Sequence, residues 1–126
     1  MAKIPDDLKY TKTHEWIKVE GSEATIGITD YAQSELSDVV YVDLPPPGKQ
    51  VKSGDAFGTI EAVKAVSDLY APVSGQITAV NTELKTAPDL VNKDPYGKGW
   101  MVKIKLSDLN ELTATLSAQG YGQTIE

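Results

Sequence analysis

A chain of 126 residues with 40% hydrophobic content suits one compact domain and is short for two. Eighteen acidic residues stand against twelve lysines, with no arginine, for a net charge of −6; nothing here builds a basic nucleic-acid surface or an arginine fork for reading bases. The absence of cysteine excludes disulfide frameworks, thiolate metal sites and cysteine nucleophiles, so any redox-active sulfur has to be added to the chain.

The opening residues, Met1 to Asp7, have neither an apolar signal core nor an arginine-rich presequence, and no run approaches a membrane span. The expected location is cytoplasmic, or the mitochondrial matrix only if a transit peptide has been removed. Stretches rich in β-branched residues then recur between turn signals, predicting strands over 15–19, 24–29, 39–44, 56–63, 76–80 and 100–106. In the last of these Trp100, Val102, Ile104 and Leu106 alternate with Met101, Lys103 and Lys105, which predicts one inward and one wet face.

Short helices are predicted between the strands. The first covers 30–36, with Thr29 as cap and Tyr31, Ala32 and Leu36 turned inward; a second lies near 87–92. A third runs over 108–118, capped by Ser107, with Leu109, Leu112 and Leu116 at helical spacing, and Gly120-Tyr121-Gly122 reads as a fraying tail. Pro45-Pro46-Pro47-Gly48 forms a turn or extended connector, because successive prolines lack donors and restrict the residue before each. Residues 13–70 carry ten acids against four lysines, a bias that steers cationic partners or simply keeps the protein soluble.

Lys64 sits at the centre of the chain's middle block, Glu61-Ala62-Val63-Lys64-Ala65-Val66-Ser67-Asp68. A strand-like stretch and a glycine-containing turn flank it on each side, Ser53-Gly54-Asp55 before and Pro72-Val73-Ser74-Gly75 after, as expected of two similar halves with the lysine marking the hairpin between them. Three other stretches stand out: Tyr10 to Trp16 with His14-Glu15-Trp16, Gly27 to Gln33, and Asp94-Pro95-Tyr96-Gly97 leading to Gly99-Trp100.

On these residues the middle block resembles lipoyl and biotinyl attachment domains, and nearly the whole chain resembles the H proteins of the glycine cleavage system. Biotinyl domains carry methionine on both sides of their lysine, whereas Val63 and Ala65 flank Lys64, as lipoyl domains prefer. The resemblance implies a mainly β fold, a barrel-sandwich hybrid of two small antiparallel sheets with short helices and a C-terminal helix. Within a single domain 1–126, it places the attachment core at about 24–106, an N-terminal extension at 1–23, and a C-terminal helix and tail at 107–126.

The same resemblance implies lipoate covalently attached to Lys64, with Glu61, Gly48 and Gly75 serving recognition by a lipoate ligase or a lipoyl/octanoyltransferase. Thr13, Glu15 and Asp68 fall where polar groups would receive the aminomethyl end of a loaded arm, and two carboxylates suit an ammonium. Implied partners are a pyridoxal-phosphate glycine decarboxylase (P protein), a folate-dependent aminomethyltransferase (T protein) and dihydrolipoamide dehydrogenase (L protein). The chain would be their non-catalytic carrier, and a carrier that shows one face to several enzymes is expected to be a monomer. The block departs from the usual family wording with Ala62 where serine is common and Val66 where alanine or threonine is usual.

Other readings compete. A lone lysine is ordinarily a solvated charge, and only its surroundings single out Lys64. His14, the sole histidine, reads as a packing or hydrogen-bonding residue, and Trp16 and Trp100 read as core. A small acid/base enzyme using His14 and Glu15 lacks a nucleophile constellation or a phosphate-cradling loop. A lipoyl donor relaying its cofactor to other enzymes would have the same sequence features. No metal, nucleic-acid or membrane partner is expected.

Overall fold

The computed structural model describes residues 3–125. Within them the chain forms nine strands: β1 (Lys9–Tyr10), β2 (Glu15–Glu20), β3 (Glu23–Ile28), β4 (Val39–Asp43), β5 (Gln50–Val51), β6 (Ala56–Ala62), β7 (Val66–Tyr70), β8 (Gly75–Val80) and β9 (Val102–Leu106), of which β1, β5 and β7 lie outside the six β-branched stretches. They make two antiparallel sheets, one of six strands in the order β1-β2-β3-β9-β8-β5 and one of three in the order β4-β6-β7. The inner faces of the sheets meet in one apolar core, with Ile26, Ile77 and Ile104 from the larger sheet and Val42, Ile60 and Leu69 from the smaller. Complete burial of each such side chain contributes ~1.5–3 kcal/mol.

Helix α1 (Asp30–Leu36) begins as expected, the Thr29 side chain accepting a hydrogen bond from the Ala32 amide. The helix expected near 87–92 is instead two single turns, α2 (Glu83–Thr86) and α3 (Leu90–Lys93). Pro88 accounts for the break, since the residue before a proline is pushed out of the helical region and Ala87 lies at φ −134°, ψ 65°.

Two further expectations are corrected. The segment 108–118 is not one α-helix: a 3₁₀ helix covers Leu109–Ala114, capped by Asp108 rather than Ser107, and α4 (Ala118–Thr124) follows with Ser117 as cap. Backbone pairing of Leu116 with Tyr10, at 2.8 and 2.7 Å, pulls the chain straight between them. Gly120-Tyr121-Gly122 consequently lies inside a helix, with Tyr121 fully buried, and is no fraying tail.

The alternation expected over 100–106 holds only from Val102 onward. Asn81 donates from Nδ2 to the carbonyls of Lys98 and Trp100, holding a turn there, and the following Met101 turns fully into the core while Trp100 stays half-buried.

A second, smaller core joins distant parts of the chain. Leu8, Tyr10, Trp16 and Tyr121 form it, with Ile4, Tyr96, Leu116 and Ile125 packed around them. The Tyr10 and Tyr121 rings stack at 5.0 Å with planes 13° apart. This core lies directly behind the start of β2, where Glu15 sits.

Candidate functional site

The β6–β7 hairpin turns at Val63 and Lys64. The Ala62 amide donates to the Ala65 carbonyl at 2.8 Å across the turn, and the Val63 amide donates to the Asp38 carbonyl at 2.9 Å, bracing the tip from the segment that leads into β4. Lys64 is exposed and has no ion-pair partner among the described residues, where the one ion pair is Lys93 with Asp89. The lysine amine is therefore accessible on a base fixed by three strands.

Cross-strand registers arrange the surface around it. Tyr41 stands opposite Glu61, and Glu61 opposite Val66; one step further, Asp43 stands opposite Thr59, and Thr59 opposite Asp68. A register shift between Val39 and Tyr41 leaves Val40 and Tyr41 both outward. Val63 and Val66, at 71% and 67% exposed, join them in an apolar collar broken by the exposed Glu61 carboxylate. Composition gave no signal of this collar, because single apolar residues on a strand are indistinguishable from core until the sheet shows which face is covered.

Beside the hairpin lies a cleft of about 310 Å³. Ile28, Ile60 and Leu69 give it apolar lining; Tyr31, Ala32 and Glu35 line it from α1, Ser67 and Asp68 from β7, and Thr13, His14 and Glu15 from the entry to β2. Thr13, Glu15 and Asp68, 55 residues apart at the extremes, thus line one cavity. Ser67 to Leu69 lie three to five residues from Lys64 along β7, about 10–17 Å at the rise of a strand.

The entry to β2 owes its shape to a tight turn. The His14 amide bonds the Thr11 carbonyl at 3.2 Å and the Glu15 amide bonds Thr11 Oγ1 at 3.1 Å, with His14 at φ +71° redirecting the chain into the strand. Glu15 is 3% exposed, and its Oε1 accepts from Thr11 Oγ1 at 2.6 Å and Thr13 Oγ1 at 2.5 Å. Burial raises its pKa, and the two hydroxyl donors act against that rise by favouring the carboxylate. Its other oxygen has no hydrogen-bond partner among the described residues and is not sealed from solvent, which leaves an acceptor for a ligand. Thr13 and Glu15 also line a second cavity of about 480 Å³ on the side of Tyr70, Pro72 and Leu116.

Gly48 and Gly75 lie elsewhere, Gly48 in the turn leading into the six-stranded sheet and Gly75 within that sheet, rather than on the hairpin. Gly48 has φ +105° in the turn before β5 and donates its amide to Ile77 at 2.7 Å. Gly75, at φ +156°, opens β8, and a Cβ there would collide with the Lys105 carbonyl oxygen of β9. Local backbone geometry accounts for both.

His14 is more connected than its sequence context indicated. Its Nδ1 lies 2.8 Å from the Tyr121 hydroxyl, which lies 2.7 Å from Thr29 Oγ1. Burial lowers its pKa, opposed by the nearby Glu35 carboxylate. Among the described residues no group of three or more His, Asp or Glu side chains could hold a metal ion, and no helix is long and apolar enough to cross a membrane.

Comparison with known proteins brings these features together. The family described as glycine cleavage H-protein matches residues 8–126. The glycine cleavage system H protein of Rubrobacter xylanophilus is 56% identical over 126 residues, covering 100% of this chain and 98% of that protein. That of Carboxydothermus hydrogenoformans is 52% identical over 126 residues, covering 100% and 97%. The crystal structure of a glycine cleavage system H protein from Mycobacterium marinum superposes with a TM-score of 0.88 at 39% identity, covering 98% of this chain and 100% of that one.

Proposed function

The chain belongs to the glycine cleavage H-protein family, the non-catalytic lipoyl carriers of that system, and on that premise we propose that Lys64 bears the lipoate and that the adjoining cleft seats the loaded arm. The carrying observation is the juxtaposition of an exposed lysine at a braced hairpin tip with a cleft that gathers Thr13, Glu15 and Asp68. The residues fit the group: the amine is exposed for acylation, the cleft combines apolar side chains with the carboxylates of Glu15, Glu35 and Asp68, and it begins within the length of an extended lipoyl-lysine arm.

When bound, lipoate supplies a disulfide that opens to hold a methylamine unit on one sulfur and closes again on oxidation. The protein's part is physical. The braced turn fixes the base of the arm, so tethering keeps its end at high local concentration near successive partner sites. Glu15, with one oxygen occupied by two threonine hydroxyls, turns the other to an ammonium, and Asp68 supplies a second carboxylate. The apolar lining at Ile28, Ile60 and Leu69 would limit water around the end of a seated arm. In this reading the partners that would meet the carrier in turn are glycine decarboxylase, the aminomethyltransferase and dihydrolipoamide dehydrogenase.

Intact-mass measurement after expression with lipoate and a lipoate ligase tests the attachment. One lipoyl adduct mapped to Lys64, and none in Lys64→Arg, is expected; an adduct elsewhere overturns it. Reconstituted glycine decarboxylation with the three partner enzymes tests the shuttle, and activity solely as a lipoyl donor would replace it with a relay role.

A further inference from the structure

We propose that His14 is a positioning residue of the cleft, held as the neutral tautomer with its proton on Nε2 by a hydrogen-bond chain from Thr29 through Tyr121, so that the cleft offers a neutral N–H donor beside its carboxylates rather than a second cation. The role in the cleft rests on the reading of that cleft as the seat of the arm; the tautomer lock does not.

Donor bookkeeping carries the argument. Thr29 is fully buried and its Oγ1 accepts the Ala32 amide as the cap of α1. Among the described residues the hydroxyl proton of Thr29 has one acceptor, the Tyr121 oxygen at 2.7 Å. Donating there makes the phenol oxygen an acceptor and leaves the phenol proton for His14 Nδ1 at 2.8 Å. That nitrogen must then be bare, and the imidazole proton resides on Nε2. Reversing the chain strands the Thr29 proton in the interior, which is the costly arrangement for a buried donor. An imidazolium would place an N–H against the phenol and force that same reversal.

The surroundings agree with a neutral ring. Tyr31 packs at 5.0 Å between ring centroids and Tyr121 at 5.7 Å. Glu35 on α1, Glu15 next in the chain and Asp68 on β7 line the same cleft as the ring, and of these Glu35 draws a proton onto His14. Burial acts the other way and is the larger influence. Nε2 has no hydrogen-bond partner among the described residues and is not sealed off, so its N–H is available to the cleft that His14 lines. The residue sits at φ +71°, a conformation that a non-glycine residue adopts at a cost and that the Thr11 turn and Tyr121 maintain.

Because the chain has one histidine, nitrogen-15 NMR of the unmodified protein reads the tautomer without ambiguity. The expected spectrum has an unprotonated Nδ1 and a titration midpoint below that of a free histidine. Tyr121→Phe should mix the tautomers and raise the midpoint. Tyr10→Phe is the control: it removes a hydroxyl from the same stacked pair, one that donates to the Pro5 carbonyl and does not touch His14. Thr29→Val should act like Tyr121→Phe, and Thr29→Ser should restore the wild-type spectrum. A protonated Nδ1 in the wild type, or equal midpoints in Tyr121→Phe and Tyr10→Phe, overturns the lock.

The cleft role is read separately, from the half-life of the methylamine-loaded lipoyl protein free of its partners. Tyr121→Phe should shorten it several-fold and Tyr10→Phe should leave it unchanged. An unchanged half-life in Tyr121→Phe, with the tautomer altered, overturns the positioning role. If Glu15→Gln also leaves it unchanged, the seat itself is refuted while the NMR result continues to decide the lock.

Discussion

Gly27 and Trp16 face each other across β2 and β3, and the indole occupies the space that a Cβ on Gly27 would take: that atom would lie 2.6 Å from indole Nε1. The same Nε1 donates to the Pro95 carbonyl at 2.9 Å, joining β2 to the loop before β9. Neither partner of this arrangement can move independently, and Trp16 is the residue after Glu15.

Gly27→Ala should therefore destabilise the protein by about 1–3 kcal/mol, the usual cost of forcing extra volume into a packed interior. Denaturant unfolding followed by tryptophan fluorescence measures it. A loss near zero would mean that the indole can shift, which the Pro95 bond opposes.

The pH dependence of stability separates Glu15 from His14. Glu15 has a folded pKa raised by burial above 4.5, so its contribution is complete below that value and is lost as pH rises through the folded pKa. His14 has a folded pKa lowered below 6.5, so its contribution is present above that value and is lost as pH falls through the folded pKa. The two slopes oppose each other. In Glu15→Gln the first disappears, and the stability of the variant relative to wild type should climb as pH rises from 4.5. Urea titrations at several pH values check this, and parallel profiles would refute it.

Glu61 is the exposed carboxylate in the collar around the hairpin, with Tyr41 on one side and Val66 on the other. Glu61→Gln should slow acylation of Lys64 by a lipoate ligase on the order of tenfold, within the range by which single changes alter encounter. Its melting temperature should not move. Acylation at the wild-type rate, followed by mass spectrometry, would assign recognition to the apolar members of the collar instead.

Periodicity and capping made much of the fold legible. Thr29 and α1 were readable because a cap and its helix lie within a few residues, and strands β2, β3, β4 and β6 because β-branched runs end at turn signals. What could not be read depended on distant partners. Leu116 has helical spacing to Leu112, yet Tyr10 draws it into a bridge; Tyr121 lies between two glycines, yet fills the second core. Thr13, Glu15 and Asp68 were nominated by resemblance alone, since no local pattern brings residue 15 to residue 68. The contacts of His14 were invisible for the same reason.

The bond between His14 and Tyr121 spans 107 residues. During synthesis the hairpin bearing Lys64 and all three strands of its sheet leave the ribosome well before α4, so the lysine is present for acylation while the cleft still lacks the helix that anchors His14. That contact cannot form until α4 has been synthesised, and closing so long a loop carries a large entropic cost. On the proposed reading, attachment at Lys64 and completion of the cleft would be separable in time on the nascent chain.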